Sequence, residues 1–297
     1  MREVDHTAAL QWSIHTAGIR SQPDIDGVHT VKLNSHQRTL GDLTGRTALI
    51  TGASSGIGAA TVQTFLAAGA RVHAVARRKD AMYDVAPDAV DEGRLILHPL
   101  DVADGTAVQG LADELAASDP IDTLVLAAGR NVNPRTFGDL TFEAFDDLMK
   151  VNLNGVFYAL RASLPQLREN AGDVVIISSV AAFWPDHSGA AYQASKAGVT
   201  ALARGAARDE HGNGVRITSI LPGVVNTPIL DKRPVPPPAE VRAWFIQPED
   251  VATASLAAVT MPGRTTVSEI TLTATRLQSI GNTQQATPVL PDSLVSH

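Results

Sequence analysis

The chain has 297 residues, of which 44% are hydrophobic and 19% charged, and its formal net charge is −7. This composition suits a globular protein with one large core, and an acidic balance without a dense Lys/Arg run argues against nucleic acid or an anionic membrane as a partner. The sequence contains no cysteine, and its nine histidines show no close metal-ligand spacing. Disulfides and cysteine nucleophiles are therefore excluded, and no metal site is expected.

The first 44 residues mix polar, glycine and histidine residues without a sustained period, so we expect an N-terminal extension on the surface. They lack the apolar core of a signal peptide, and the chain has no apolar run of about 18 residues that would span a bilayer. Both observations favour a cytoplasmic protein. Residues 45–275 are predicted to form a single folded domain, and residues 276–297 a C-terminal tail.

From residue 45 onward, short β-branched apolar runs alternate with longer segments of helical period, which is typical of βαβ units around a parallel sheet. The runs are almost continuously apolar, as expected of strands that helices cover on both faces. The sequence therefore predicts an α/β fold with a doubly wound, seven-stranded parallel sheet. The predicted strands are RTALIT, RVHAVA, RLILHPL, TLVLAA, DVVIIS, VRITSIL and VSEITLT.

Helical patterns are predicted at 59–69, at 107–118, at 142–170 and around Tyr192. Asp104 is predicted to be the N-cap of the second of these helices. The segment 231–240, DKRPVPPPAE, is rich in proline and cannot continue a helix, so it is predicted to be an exposed loop.

The turn between the first strand and the first helix contains three glycines, Gly52, Gly56 and Gly58. Glycines at such a turn let the backbone approach a pyrophosphate closely, and the free N–H groups at the start of the helix favour its negative charge. A tight turn with glycine for packing alone is the alternative. The flanking strand and helix favour nucleotide binding in a Rossmann-like fold.

In the segment GAAYQASKAG, Tyr192 stands four residues before Lys196, so the two side chains share a face if the segment is helical. A free tyrosine has a pKa of about 10 and is a poor base near neutral pH. An ammonium at about 4 Å lowers that pKa appreciably only where the effective dielectric constant is low. We therefore expect Lys196 to lower the pKa of Tyr192 in a sheltered site. The alternative is a solvated tyrosine beside a surface lysine.

Two further residues, Asn152 and Ser179, lie 40 and 13 positions before Tyr192. With the glycine turn, whose residues 51–58 match the pattern Thr-Gly-x-x-x-Gly-x-Gly, this order resembles the short-chain dehydrogenase/reductase family over about residues 44–275. The resemblance implies that Tyr192 exchanges a proton with a carbonyl or alcohol oxygen and that Ser179 hydrogen-bonds the same oxygen. It also implies that Lys196 binds the nicotinamide ribose and that Asn152 holds a water in the proton path. Ser178 competes with Ser179, and Asn152 is alternatively a bend or packing residue.

No carboxylate stands at the end of the second strand, where Ala76 precedes Arg77 and Arg78. In dinucleotide folds a carboxylate here bonds the ribose 2′-hydroxyl and repels a 2′-phosphate, whereas an arginine attracts the phosphate. We therefore predict NADP(H) as the cofactor, the alternative being an exposed basic corner. The expected cofactor-binding residues are Gly52, Ser54, Ser55, Gly56, Ile57, Gly58, Arg77, Arg78, Asp101, Val102, Ala128, Gly129, Tyr192, Lys196, Pro222, Gly223, Val225 and Thr227.

One stretch departs from the family's pattern: residues 126–129 read Leu-Ala-Ala-Gly where Asn-Asn-Ala-Gly is usual, so a polar residue that pins the sheet is missing. The substrate is expected beyond the carboxyl ends of the strands, at loops that begin at Arg130, Val180 and Asn226. In the second loop, Phe183 and Trp184 suggest an apolar or ring-containing carbonyl compound, although they suit packing equally well. His187 in the same loop is either a substrate contact or a surface residue.

These expectations describe an NADP(H)-dependent oxidoreductase that interconverts a carbonyl compound and a secondary alcohol by hydride transfer. One alternative is an NAD-dependent sugar or steroid alcohol dehydrogenase, and another is a non-catalytic protein that senses the NADP redox state. The resemblance further implies a homodimer or homotetramer in which the helix of Tyr192 takes part. A small-molecule substrate is expected, and neither nucleic acid nor a membrane.

Overall fold

The computed structural model describes residues 39–275 of the chain. All seven predicted strands are present in one parallel sheet, which confirms the predicted fold class. Residues 1–38 of the predicted N-terminal extension and the whole predicted C-terminal tail, 276–297, lie outside the described residues. The strands are β1 Thr47–Thr51, β2 Arg71–Ala76, β3 Leu95–Pro99, β4 Thr123–Leu126, β5 Asp173–Ile177, β6 Arg216–Pro222 and β7 Glu269–Leu272.

The sheet has the strand order β3-β2-β1-β4-β5-β6-β7, and all neighbouring strands are parallel. From β1 the chain moves outward to β3 on one side, and from β4 it moves outward to β7 on the other. Thr51, the last residue of β1, lies beside Val75 of β2 and Leu126 of β4. This reversal of direction between β1 and β4 opens a crevice at their carboxyl ends, where doubly wound sheets bind their ligands.

Helices connect the strands, as crossovers between parallel strands require. They are α1 Gly56–Ala67, α2 Lys79–Tyr83, α3 Pro87–Asp91, α4 Gly105–Ser118, α5 Phe142–Met149, α6 Gly155–Glu169, α7 Ala190–Glu210, α8 Ala239–Arg242 and α9 Pro248–Thr260. The single helix predicted over 142–170 consists of α5, a π-helical turn at Lys150–Asn154, and α6 in direct succession. The predicted N-cap Asp104 is confirmed, because its carboxylate accepts two backbone N–H groups at 3.0 Å.

An apolar core lies on each face of the sheet. The first contains Phe65 of α1 and Val251 of α9, and the second contains Leu115 of α4 and Val199 of α7. Leu43 is fully buried in the first core, so close packing begins just before the predicted start of the domain. Together the two cores account for the nearly continuous apolar strands.

The segment 231–240 is only partly the exposed loop that its prolines predict. It starts in a 3-10 turn, Pro228–Lys232, and ends in α8, which follows Pro238. Proline opposes only a helix interior, so both ends can be helical. Arg233 is half-buried and Pro237 is buried, because the segment folds over the carboxyl edge of the sheet.

Two absences hold within residues 39–275. No helix there is long and apolar enough to cross a membrane. No three side chains from histidine, aspartate and glutamate come together there in a way that could hold a metal ion.

Candidate functional site

A cavity of about 600 Å³ lies in the crevice over the carboxyl ends of the strands. Its wall is built from the turn after β1, the loops after the other central strands, and the first turns of α7. Most of the predicted site residues belong to this wall, whereas Gly58, Asn152 and Pro222 are not part of it. The predicted residues in the wall are Gly52, Ser54, Ser55, Gly56, Ile57, Arg77, Arg78, Asp101, Val102, Ala128, Gly129, Ser179, Tyr192, Lys196, Gly223, Val225 and Thr227.

The glycine turn is closed so tightly that side chains are excluded. A Cβ at Gly58 would collide with the carbonyl oxygen of Gly52, and Gly56 has a φ of +54° with Thr227 directly opposite. Ser55, the N-cap of α1, offers no side-chain acceptor to the first N–H groups of the helix. Ser55, Gly56 and Ile57 line the cavity, and the start of α1 fits a pyrophosphate because an anion satisfies uncapped N–H groups and the helix dipole.

The far end of the cavity, beyond the glycine turn, is basic. Arg77 and Arg78 follow β2, are exposed, and line the wall, with Ala76 standing where a carboxylate would otherwise be. Asp101, at the end of the next strand, lines the wall too, while its Oδ1 accepts the N–H of Ala103 at 3.0 Å. Two guanidinium groups without a carboxylate at the strand end fit a phosphate on the adenosine ribose.

Thr51 provides the polar contact between strands that the Leu-Ala-Ala-Gly stretch lacks. Its hydroxyl, in a side chain that is 3% exposed, accepts the N–H groups of Ala127 at 3.2 Å and Ala128 at 3.3 Å. It also lies 3.5 Å from the carbonyl oxygen of Val125. A side chain at the end of β1 thereby holds the chain that follows β4.

The hydroxyl groups of Tyr192 and Ser179 lie beside each other in the wall, near enough for the serine to lower the pKa of the phenol. Ser179 lies two residues after the end of β5, and its Oγ caps the 3-10 turn that follows. Ser178 points elsewhere, because its Oγ donates to the carbonyl oxygen of Lys196 and pairs with Thr200 Oγ1 at 2.8 Å. Of the two competing serines, Ser179 is the one next to the phenol.

The pKa of Tyr192 is raised to about 12, which is opposite to the expected lowering. Withdrawal of the phenol from bulk water is the largest cause, since it disfavours the charged phenolate, and the carboxylate of Asp186 acts in the same direction. The Ser179 hydroxyl and the guanidinium groups of Arg135 and Arg233 lower the pKa, but by less. The expectation took the attraction of a nearby cation to exceed the opposing cost of desolvation, whereas desolvation is the larger effect.

Lys196 is itself 5% exposed, and burial lowers the pKa of its ammonium to about 8. Its Nζ donates to the carbonyl oxygen of Ile177 at 2.8 Å and lies 5.8 Å from the centroid of the Tyr192 ring. An ammonium has three donors, so two remain on the side of the cavity that Lys196 lines. The lysine and the tyrosine therefore share one wall, as their spacing on the helix predicts.

Asn152 lies in the π-helical turn and is fully buried. Its Oδ1 accepts the N–H of Arg130 at 2.9 Å, while its Nδ2 donates to the carbonyl oxygen of Arg130 at 3.0 Å and to Ser195 Oγ at 3.1 Å. Gly129 separates this amide from the cavity, and a Cβ there would lie 3.7 Å from both Asn152 Oδ1 and Lys196 Nζ. Asn152, in the π turn, is therefore hydrogen-bonded to the backbone of the loop after β4.

The aromatic residues expected near the substrate do not line the cavity. Phe183 is 47% exposed and its ring lies 5.2 Å from Arg204 Cζ, outside the wall. Trp184 and His187 are also absent from the wall. The suggestion of an apolar or ring-containing substrate therefore loses its basis, because these side chains pack or face solvent.

Four charged residues of the wall escaped the sequence reasoning: Arg135, Asp186, Lys232 and Arg233. Each lies on one of the three loops that sequence topology assigns to the substrate, so a search of those loops for charged side chains would have found them. Their closeness to one another depends on how the loops fold. No local sequence pattern indicates that the four residues lie close together.

The fold and the cavity together define a dinucleotide-binding protein of the α/β class. Comparison with known families gives the particular one: the short chain dehydrogenase family matches residues 46–235, which is more than half of the chain. The chain belongs to this family. It is therefore an oxidoreductase of the kind that uses a nicotinamide cofactor and a small-molecule substrate.

Individual relatives agree with this assignment. An uncharacterized oxidoreductase of Staphylococcus haemolyticus is 32% identical over 233 residues, 78% of this chain and 98% of the relative. Among solved structures, an alcohol dehydrogenase from Thermococcus sibiricus complexed with 5-hydroxy-NADP has a TM-score of 0.70 at 26% identity, covering 79% of this chain and 98% of that one. A metagenomic short-chain oxidoreductase in complex with NADP has a TM-score of 0.67 at 29% identity, covering 84% and 99%.

Proposed function

We propose that this protein is an NADP(H)-dependent oxidoreductase that interconverts a carbonyl compound and a secondary alcohol, with Tyr192 as acid and base. The observation that carries the proposal is that Tyr192, Ser179 and Lys196 line the same cavity as the uncapped start of α1 and Arg77. Two similar structures hold NADP or a derivative of it, which supports the choice of cofactor. We assign the activity to residues 45–275, between the N-terminal extension and the C-terminal tail.

In the proposed reaction, Tyr192 donates its proton to the carbonyl oxygen during reduction and takes it back from the alcohol during oxidation. Ser179 donates a hydrogen bond to the same oxygen and so favours the developing negative charge. When bound, the nicotinamide donates or accepts the hydride, and the positive charge of its oxidised form opposes the burial that raises the pKa of Tyr192.

Other residues of the wall hold the cofactor. The free donors of Lys196 Nζ are suited to the hydroxyls of the nicotinamide ribose, and the first turn of α1 is suited to the pyrophosphate. Asn152 is proposed to hold a water in a proton path, because its Oδ1 and Lys196 Nζ converge behind Gly129. Arg77 and Arg78 are assigned to the 2′-phosphate.

The acid and base role is tested by Tyr192→Phe, assayed as oxidation of NADPH with a panel of ketones and aldehydes. We expect turnover to fall by at least about 100-fold, the usual contribution of a general acid, while NADPH affinity is retained. Tyr158→Phe is the matched control, because Tyr158 lies on α6 against Gly105 and outside the cavity wall. Equal turnover in wild type and Tyr192→Phe would remove the tyrosine from the mechanism.

Cofactor choice is tested by titrating the protein with NADPH and with NADH. We expect NADPH to bind more tightly and the difference to shrink in Arg77→Gln, since a charge-assisted hydrogen bond to the phosphate is lost. Tighter binding of NADH would contradict the assignment and favour an NAD-dependent alcohol dehydrogenase. Tight NADPH binding without turnover of any carbonyl compound would instead favour the redox-sensing alternative.

We also propose that the protein forms a homodimer or homotetramer in which α7 and its neighbours take part. Support comes from large apolar side chains left in solvent on the adjoining helices: Phe142 and Phe145 of α5 are 88% and 36% exposed, and Phe157 of α6 is 47% exposed. Exposed apolar groups of this size are typical of an interface. Light scattering measures the mass in solution, and a monomer at assay concentration would contradict this proposal.

A further inference from the structure

Beyond the phenol of Tyr192, the cavity wall continues into a charged region that none of the proposed steps uses. It consists of Arg135 from the loop after β4, Asp186 from the loop after β5, and Arg233 from the loop after β6. All three are half-buried, and each is near enough to Tyr192 for its charge to affect the pKa of the phenol. We call these three residues the charged pocket end.

Arg135 is fixed in position by its backbone. Gly189, just before α7, has a φ of +91°, and a Cβ there would lie 2.7 Å from the carbonyl oxygen of Arg135. Asn131 Nδ2 donates to the carbonyl oxygen of Ser188 at 2.9 Å, which joins the same two loops again. The loop that carries Arg135 is therefore clamped against the first residues of the helix that carries Tyr192.

The guanidinium of Arg135 retains most of its donors. Its Nε reaches the carbonyl oxygen of Val132 only at 3.4 Å, and within residues 39–275 no carboxylate forms an ion pair with it within 4 Å. Asp186 is held instead by Ser188, whose backbone N–H and hydroxyl both donate to Asp186 Oδ1. Arg135 is half-buried, so its charge is partly withdrawn from water, and this burial lowers the pKa of the guanidinium.

Arg233 reaches the same region from the opposite side. The loop before it is tied to the loop of Arg135, because Asn133 Nδ2 donates to the carbonyl oxygen of Lys232. Burial lowers the pKa of Arg233, and the charge of Arg135 lowers it further, so the two guanidinium groups lie close enough to repel each other. Proximity of like charges is costly unless an anion lies between them.

The charged pocket end is positive beside the phenol, since it holds two guanidinium groups and one carboxylate, and Arg135 keeps donors for an anion. Arginine also matches a carboxylate geometrically, since its planar fork gives two parallel hydrogen bonds.

We propose that the substrate carries a carboxylate, which Arg135 and Arg233 hold while the reacting carbonyl or alcohol oxygen faces Tyr192 and Ser179. The substrates are then oxo acids and the corresponding hydroxy acids. This inference rests on the proposed function, because the position of the reacting oxygen comes from Tyr192. It replaces the apolar substrate that Phe183 and Trp184 suggested.

The test measures binding separately from turnover. Tyr192→Phe protein saturated with NADP⁺ is titrated calorimetrically with 2-oxobutanoate and with 4-oxopentanoate, and each titration is repeated with the methyl ester of the same acid. We expect at least one acid to bind at least about tenfold more tightly than its ester, as a charge-assisted hydrogen bond predicts. Esters that bind as tightly as their acids would overturn the proposal.

Variants assign the preference to residues. Arg135→Gln and Arg233→Gln are each expected to remove most of the preference for the acid, while NADP⁺ affinity and the melting temperature stay close to those of the parent. Arg135→Lys keeps the charge without the fork and is expected to retain part of the preference. Arg204→Gln is the control, because it removes one positive charge outside the cavity and should leave the preference unchanged. A preference that persists in both glutamine variants contradicts the charged pocket end.

Turnover by the wild-type enzyme separates this inference from the proposed function. If neutral ketones react with NADPH as well as oxo acids do, the carboxylate site is wrong and the proposed function stands. If the acids bind through the two arginines and no carbonyl compound is reduced, the carboxylate site stands and the proposed reaction is wrong.

Discussion

Lys196, in the cavity wall, has a charge that changes with pH in the working range. Burial lowers the pKa of its ammonium to about 8, whereas Tyr192, at about 12, stays protonated until far more alkaline pH. The ammonium has only the carbonyl oxygen of Ile177 as a partner among residues 39–275. A ligand that needs the charged form must therefore bring a proton with it above pH 8.

We predict that NADPH affinity declines as pH rises from about 7.5 to 9.5, by up to about tenfold per pH unit above the pKa. The reason is that the free protein then carries neutral Lys196, and binding the ribose through the ammonium requires proton uptake. Calorimetry in buffers of different ionisation enthalpy measures that uptake directly.

Lys196→Met provides the comparison for this prediction. The variant is expected to bind NADPH more weakly at pH 7 and to show a flat profile over the same range. Arg77→Gln should bind more weakly too but keep the slope, because an arginine does not titrate there. Identical slopes for wild type and Lys196→Met would show that Lys196 does not contact the cofactor.

At the scale of elements, the amino ends of four strands are joined by a buried group of ions opposite the cavity. Asp173, which begins β5, accepts Arg46 at 2.7 Å through one carboxylate oxygen and Arg216 of β6 at 2.6 Å through the other. Arg216 also donates to carbonyl oxygens at the end of α9 and just beyond it. The carboxylate and its two arginines therefore connect the amino ends of the central strands to the last helix.

We predict that Asp173→Asn lowers the free energy of unfolding by roughly 3–5 kcal/mol, since it leaves the buried guanidinium of Arg216 without its anion and removes one of two carboxylates from the half-buried Arg46. Urea unfolding followed by circular dichroism measures the loss. Asp122→Asn is the matched control: Asp122 also binds Arg46, at 2.7 Å, but its side chain is 20% exposed against 3% for Asp173. Its loss should be clearly smaller, and equal losses would contradict the role given to burial.

Strands and the glycine turn were predictable because their signals are local. β-branched runs mark the strands, and the tight approach of Gly58 to Gly52 requires glycine whatever surrounds it. Helix α9 also carries a local signal that the prediction did not use, a capping box formed by Gln247 and Asp250 ahead of an apolar run. The order of the predicted site residues along the chain, which resembles that of the family, was enough to predict that most of them line one cavity.

Other features depend on contacts between distant segments, and the sequence does not encode these locally. The raised pKa of Tyr192 results from burial and from Asp186, which sequence spacing cannot measure. Arg135 and Arg233 are 98 residues apart and meet only because β4 and β6, on either side of β5, bring their loops together. The π turn around Asn152 has no recognisable sequence signal within its long helical pattern.

For the whole molecule, the distribution of charge matters more than the total. The chain has a net charge of −7, yet the cavity wall holds seven basic side chains against two acidic ones. Fields inside a low-dielectric cleft are concentrated, so such a wall attracts anions although the protein is acidic. This arrangement suits a phosphorylated dinucleotide and the carboxylate proposed for the substrate.

The stability of the whole molecule should depend on pH through two histidines at the edge of the sheet. His73 of β2 is 3% exposed; its Nδ1 lies 2.9 Å from His98 Nε2, and its Nε2 lies 3.0 Å from Asp119 at the end of α4. Burial lowers the pKa of both imidazoles, although the carboxylates of Asp119 and Glu114 partly oppose this for His73. For His98, the charge of His73 lowers the pKa further.

Because both pKa values are lowered in the folded protein, the unfolded chain binds more protons below its own value of about 6.5. The free energy of unfolding is therefore expected to fall as pH drops from about 7 to 5, by no more than about 1.4 kcal/mol per pH unit for each histidine. Asp119, whose pKa is lowered by Arg71 and His73 against the effect of burial, adds a separate loss only below its usual value of 3.8. Urea titrations at several pH values distinguish the contribution of the two histidines from that of Asp119.

His98→Gln isolates this contribution, since an amide can still donate to His73 Nδ1 but does not titrate. The variant should lose less stability than wild type between pH 7 and 5, because one proton-binding group and its repulsion of His73 are removed. His187→Gln is the control: His187 is exposed on a loop, so its replacement should leave the slope as in wild type. A slope in His98→Gln as steep as that of wild type would mean that the edge of the sheet opens locally before the molecule unfolds, so that the imidazoles are already solvated when they take up protons.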